Sequence, residues 1–304
     1  MLFNKIKDSD FEAIWNIQKN TEYNGCEWSK LYLKSWDFFM YDQMEIACED
    51  GAIFIRFPVL YKDEEFFKGM SHLYLPPVCD ISKVKWAIDA ARAQAKQDKE
   101  MFTMIGVPQE YLDAYGVCDF SVTNSKNQNE YLYMPEDLAL LKGKKYHSKR
   151  NHISAFDRLY NCTFRPYEES DRCAVEKLLL KWEGNQDEEY EIEDKSSEHL
   201  AIERSLDMAF DKGVYAYVLY VDSKLVGFTL GEITPSNVGV VHIEKADVEY
   251  SGAYTKLMNL FAKEVLKDTR IINRQEDMGD EGLRQSKLSY KPVGFCMKYF
   301  LKDF

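Results

Sequence analysis

The sequence predicts an α+β fold made from two copies of one unit, each a mostly antiparallel mixed sheet flanked by helices. Three observations predict it. At 304 residues the chain exceeds what a single hydrophobic core usually organises, so two cores are expected. A succession of hairpin, strand, helix and short strand occurs twice, at an offset of roughly 170 residues. Both copies also open alike, "FNKIKDSDFEAIWNI" against "FRPYEESDRCAVEKLL", with an apolar start and an Asp ahead of an amphipathic helix.

In the first copy "EDG" at 49–51 separates the strand-like runs "MEIAC" and "AIFIRFPVLY", and in the second "DSK" at 222–224 separates "YAYVLY" from "LVGFTLGEI". Short turn-forming clusters between such runs read as hairpins. A further strand follows each hairpin, "HLYLPPV" or "VGVVHIEKADVEY". Each then leads to a helix of amphipathic spacing, "VKWAIDAARAQAKQD" or "TKLMNLFAKEVLKD", the latter with Leu257, Leu260, Phe261 and Val265 on one face. Short strands "MFTMIGV" and "RIINRQ" come next. The expected units are residues 1–141 and 154–304, joined by a connector at 142–153.

The charge pattern supports that division. Lys and Arg number 14 against 23 Asp and Glu in residues 1–141, 5 against 0 in 142–153, and 20 against 28 in 154–304. A net charge of -12 argues against non-specific coating of nucleic acid, since phosphates repel an acidic surface. The purely basic "KGKKYHSKRNHI" offers one local anion site, with Lys145, Lys149 and Arg150 as its candidates for a tRNA, a nucleotide phosphate or a lipid head group. A solvated linker helix is the plainer reading of such a run. The seven Cys are scattered and odd in number, without a CxxC pair, which fits reduced cytosol rather than a disulfide framework or a metal site. No apolar run approaches the length of a spanning helix, so membrane contact is expected to be peripheral at most. The acidic stretch 183–199 reads as an exposed loop, or a lid.

The densest candidate site is "NRQEDMGDEGLRQSKLSYKP", 273–292. Asp280 is placed to cap a helix that Pro292 stops, which alone accounts for much of the charge pattern. Position adds function: Asn273, Glu276 and Asp277 lie at the carboxyl end of a strand, where ligands collect in open sheets. Leu283, Lys287 and Tyr290 share one helix face with Arg284 beside them. Lys287 or Arg284 would hold a phosphate or carboxylate, and Glu276 or Asp277 an ammonium group.

Residues 154–304 resemble the GNAT (Gcn5-related N-acetyltransferase) fold in element order and in the ending Tyr290, Gly294, Phe295. "KKYHSKRNHISAF", "HIEKAD" and "INRQEDMGDEGLRQSKLSYKP" resemble the bacterial family known as DUF2156, related to the C-terminal domain of phosphatidylglycerol lysyltransferases and to the tandem GNAT-like Fem aminoacyltransferases. The lysyltransferase pattern matches at Leu283, Arg284, Lys287, Tyr290 and Pro292. The resemblance implies two GNAT-like domains and an acyl-group transferase, with aminoacyl-tRNA as donor and a small or lipid-like acceptor. It also implies Glu244 as general base, with Asp277 as its alternative and Tyr290 as general acid, while Lys287 and Arg284 stabilise negative charge. Lipid-modifying members carry a membrane-embedded region ahead of this domain, which leaves the acceptor open. No cofactor is fixed. Where acetyl-CoA enzymes have a glycine-rich pyrophosphate loop, this sequence has Glu249, Tyr250, Ser251, Gly252, Ala253 and Tyr254, which disfavours acyl-CoA. The alternatives are an acyl-CoA-dependent N-acyltransferase and a non-catalytic binder of an amino-acid-like or phosphorylated ligand.

Overall fold

The computed structural model describes residues 1–304 except 37, 39, 60–67, 117–118 and 185–195. Most of the acidic stretch at 183–199 therefore lies outside the described residues. The first sheet contains β1 (Asn4–Lys5), β2 (Glu45–Glu49), β3 (Ala52–Pro58), β4 (His72–Tyr74), β5 (Thr103–Pro108) and β6 (Ser121–Asn124). The second contains β7 (Glu130–Tyr133), β8 (Cys162–Pro166), β9 (Val214–Val221), β10 (Lys224–Ile233), β11 (Val238–Ala246), β12 (Ile271–Asn273) and β13 (Gly294–Cys296), while β14 (Lys298–Lys302) returns to the first.

Written from matching edges, the orders are β1-β2-β3-β4-β5-β14-β6 and β8-β9-β10-β11-β12-β7-β13. The two are the same sheet built twice. In each, the parallel neighbours among the described residues are the fourth and fifth strands, β4 with β5 and β11 with β12. In each, too, the sixth strand comes from the other half of the chain: β14 lies between β5 and β6, and β7 between β12 and β13. The duplication expected from the sequence is present, and the halves have traded one strand each.

Local chemistry explains the repeated hairpin. Asp50 and Gly51 both take positive φ, as a two-residue loop matched to strand twist requires. Helices α1 (Asp10–Gln18), α2 (Lys30–Ser35), α3 (Val84–Gln97) and α4 (Gln109–Tyr115) belong to the first half. In α3, Val84, Ala87, Ile88, Ala91 and Ala95 form the buried stripe, the i, i+3, i+4 spacing that seats a helix on a sheet. After α5 (Pro135–Leu140), the basic connector forms a turn and then α6 (His147–Leu159). The second half adds α7 (Arg172–Trp182), α8 (Ser197–Asp207), α9 (Ala253–Glu264) and α10 (Glu281–Ser289). Among the described residues no helix is long and apolar enough to cross a membrane.

A buried polar seam joins the halves. Lys298 on β14 is 2% exposed and donates to Glu27 at 2.6 Å, with Glu130 of β7 at 3.1 Å. Asn273 donates to Glu130 at 2.7 Å and to the Asn24 carbonyl at 2.8 Å. Farther along, Ser29 donates to Glu232 at 2.7 Å and caps α2.

Candidate functional site

The site begins where the parallel pair of the second sheet opens. Pairing of β11 with β12 ends at Val240 and Asn273. Beyond it the chain stays with β7, Arg274 N donating to Tyr131 O at 3.0 Å and Tyr131 N to Gln275 O at 3.2 Å. It thus leaves β11, and side chains fill the opening. A register shift in β11 leaves His242 as an extra residue between Val241 and Ile243, the mark of a bulge. His242 and Glu244 both reach the segment after β12: His242 Nδ1 lies 3.0 Å from Gln275 Nε2, and Glu244 3.2 Å from Arg274 Nη2.

Arg274 is the centre of this arrangement, and it was not among the residues the sequence singled out. Its guanidinium lies 4.7 Å from the Tyr290 ring and 5.8 Å from that of Tyr133. One fork nitrogen faces Glu244, while Nη1 is buried with no hydrogen-bond partner among the described residues. A buried, unpaired charged donor is costly, so this nitrogen is aimed at a ligand or is a fault in the fold. The available signal was an Arg directly after the apolar strand "IIN".

Lys149 of α6 and Tyr290 join the same cluster. The Lys149 ammonium sits 3.8 Å from the Tyr290 ring centroid, and burial followed by the nearby Arg274 charge lowers its pKa to about 8. Burial raises the Tyr290 phenol, which keeps it a proton donor at neutral pH. Burial likewise raises the Glu244 carboxyl, against the opposing pull of Arg274. A carboxyl shifted upward in this way is a better proton acceptor than an ordinary surface Glu. Glu244, Tyr290 and Lys149 are thus brought together with Arg274.

The remaining candidates hold the frame. Lys287 donates to the Arg274 carbonyl at 2.7 Å and to that of Glu276, clasping the site segment onto α10; burial, then Arg274, lowers its pKa to about 8. Asp277 forms a two-pronged pair with Arg284, both contacts 2.9 Å, and accepts from Tyr131 at 2.6 Å and Gly279 N at 2.9 Å. Burial alone would raise its carboxyl, yet these donors hold it down to about 2. Both partners are thereby engaged with each other. Asn273 belongs to the buried seam. Glu276 lies beside the cluster, its carboxyl raised to about 7 by burial and then by Glu130. In the connector, Lys145 pairs with Asp137 at 3.0 Å on the surface. Arg150 donates to the carbonyls of Leu141 and Gly143, so those two residues shape the turn and do not reach Arg274.

The expected cap is in place: Asp280 accepts from Leu283 N at 2.6 Å. Among the described residues, one group could hold a metal, Cys26, Glu27 and Glu130, whose ligand atoms lie within 4.8 Å of one another. The Lys298 ammonium already contacts both carboxylates, so the cation there is the chain's own.

Comparison with known proteins follows the same outline. A curated protein of Mycoplasmoides gallisepticum, described as uncharacterized, is 28% identical over 189 residues, which is 60% of this chain and 59% of that protein. The match thus spans less than two thirds of that relative's length. A solved structure of a conserved protein of unknown function from Bacteroides thetaiotaomicron superposes with a TM-score of 0.85 at 30% identity, covering 99% of both chains. The structure of L-PGS from Bacillus licheniformis gives 0.63 at 15% identity, covering 98% of this chain and 92% of that one. FemX gives 0.60 at 11% identity, covering 99% and 97%. These likenesses show that the fold is shared over nearly the whole chain. The family described as phosphatidylglycerol lysyltransferase, C-terminal, matches residues 65–302, and the chain, with its doubled sheet and its opening between β11 and β12, belongs to that family.

Proposed function

We propose that the chain transfers an aminoacyl group from aminoacyl-tRNA to an amine or hydroxyl of a small or lipid-like acceptor. The observation that carries this reading is the buried pair Glu244 and Arg274 at the β11/β12 opening, with Arg274 Nη1 left unpartnered. Glu244 would take the proton of the attacking group as it bonds to the ester carbonyl carbon. Arg274 would hold the bound molecule beside Glu244 while the carbonyl oxygen gains negative charge in this cationic surrounding, where buried charges act most strongly. The bond to the terminal ribose oxygen would then break, and the proton held by Glu244, or that of Tyr290, would pass to that oxygen. Membership of the family supports the reaction class.

The donor choice is supported by packing. At Gly252, φ is +93°, and a Cβ there would lie 2.6 Å from the His152 carbonyl oxygen and 3.2 Å from Phe156 Cβ. Helix α6 therefore covers the start of α9, where a GNAT enzyme would need bare amides for a diphosphate. That favours aminoacyl-tRNA over acyl-CoA.

The test is transfer from a panel of aminoacyl-tRNAs to small and lipid amines and alcohols, with Glu244→Gln as the reference variant. Loss of a general base is expected to lower turnover by roughly 100-fold or more. Saturable ligand stabilisation with no turnover from any donor would establish the binding-protein reading instead, and turnover of an acyl-CoA would overturn the choice of donor.

A further inference from the structure

Two cations share the Tyr290 ring, and both hold unused donors. Lys149 lies 3.8 Å and Arg274 4.7 Å from its centroid. Among the described residues the Lys149 ammonium has no hydrogen-bond or ion-pair partner, and Arg274 Nη1 is buried without one. Lys287, the third cation, is committed to backbone carbonyls. Against these charges stand Glu244, in contact with Arg274, and Glu276, which acts on Lys287. The Arg274 charge lowers the pKa of Lys149, so the two cations repel each other, and aromatic stacking offsets only a part of that cost.

We propose that Arg274 and Lys149 form an oxyanion subsite that takes a phosphate or carboxylate group of the bound molecule. The part of the ligand seated against these two cations is on this view anionic. Arg supplies a planar fork and Lys a mobile point charge, a combination suited to a tetrahedral or planar oxyanion. The assignment of that anion to the substrate rests on the transferase reading; the existence of the subsite does not.

The experiment is titration of the full chain with inorganic phosphate and, separately, with acetate at constant ionic strength, followed by calorimetry and thermal unfolding. Saturable binding of at least one anion is expected, and the tighter of the two assigns the group. Removing one charged donor costs roughly tenfold to a hundredfold in affinity, so Lys149→Met should weaken binding by that factor. Lys144→Met, a change at an exposed residue of the same basic segment, should leave it unchanged. Arg274→Lys keeps the charge beside Glu244 but loses the fork, and should weaken binding without unfolding the chain. Absence of saturable binding by either anion, or equal weakening by Lys144→Met, overturns the proposal. Anion binding without transfer from any donor would remove the proposed function and leave the subsite standing. Transfer without anion binding would do the reverse.

Discussion

Asp277 shows how far a residue's surroundings decide its work. Its sequence position, at a strand's carboxyl end among other acids, suits a general base as well as Glu244 does. In the structure Arg284, Tyr131 and Gly279 all donate to it, and they hold its pKa at about 2. A carboxylate so stabilised is a weak base and a strong staple. The sign of its pH effect follows. The folded pKa lies below the unfolded value of about 3.9, so its contribution is complete above pH 4 and fades as pH falls toward 2. Asp277→Asn should be less stable at neutral pH, and its stability should fall less steeply than wild type between pH 4 and 2. Urea unfolding at a series of pH values checks this; parallel curves would show that the pair with Arg284 contributes nothing.

At the scale of elements, most of the second sheet was legible because its signals are local. The "DSK" turn, the strand-like runs of β9 and β10, and the amphipathic face of α9 need only neighbouring residues. The capped α10 was legible for the same reason. Arg274 was not, because nothing near it in the sequence shows that the chain after β12 follows β7 and turns away from β11. Lys149 was legible as a candidate in the basic connector, but only the packing of α6 against α9 brings it to Tyr290. That packing gives its own prediction. Gly252 combines a left-handed backbone with contact to the His152 carbonyl, so Gly252→Ala must both strain the backbone and push α6 away. Destabilisation of about 1–3 kcal/mol is expected, measured as a lower urea midpoint. A neutral result would mean that α6 is free to move off the start of α9, and would reopen the argument against a diphosphate there.

For the whole molecule, the exchange of β7 and β14 makes the halves interdependent in a way that the repeat alone did not reveal. Strand identity is visible in sequence, but which sheet a strand enters depends on contacts more than 100 residues away, such as Lys298 with Glu27 and Glu130. In the first half the corresponding opening, after β4 and β5, is filled from within: Trp28 is fully buried and donates to the Pro76 carbonyl at 2.9 Å. Glu27 packs against Gly106, where a Cβ would come within 2.8 Å of Glu27 Oε1. The first unit has thus given its own cleft to the residues that grip β14, while its strand β7 supplies Tyr131 and Tyr133 to the second. Burial raises the Glu27 carboxyl, and Lys298 opposes that rise, so removing the ammonium leaves two carboxylates without their cation in a closed space. Lys298→Met should cost about 3–5 kcal/mol, the range for breaking a buried pair from one side. Because the seam serves both sheets, the loss should appear as a lower midpoint of one shared transition. Tryptophan fluorescence weighted to Trp28 and circular dichroism of the entire chain should then coincide through unfolding. Separate transitions, with the second sheet unaffected by the variant, would show that the traded strands do not couple the two halves.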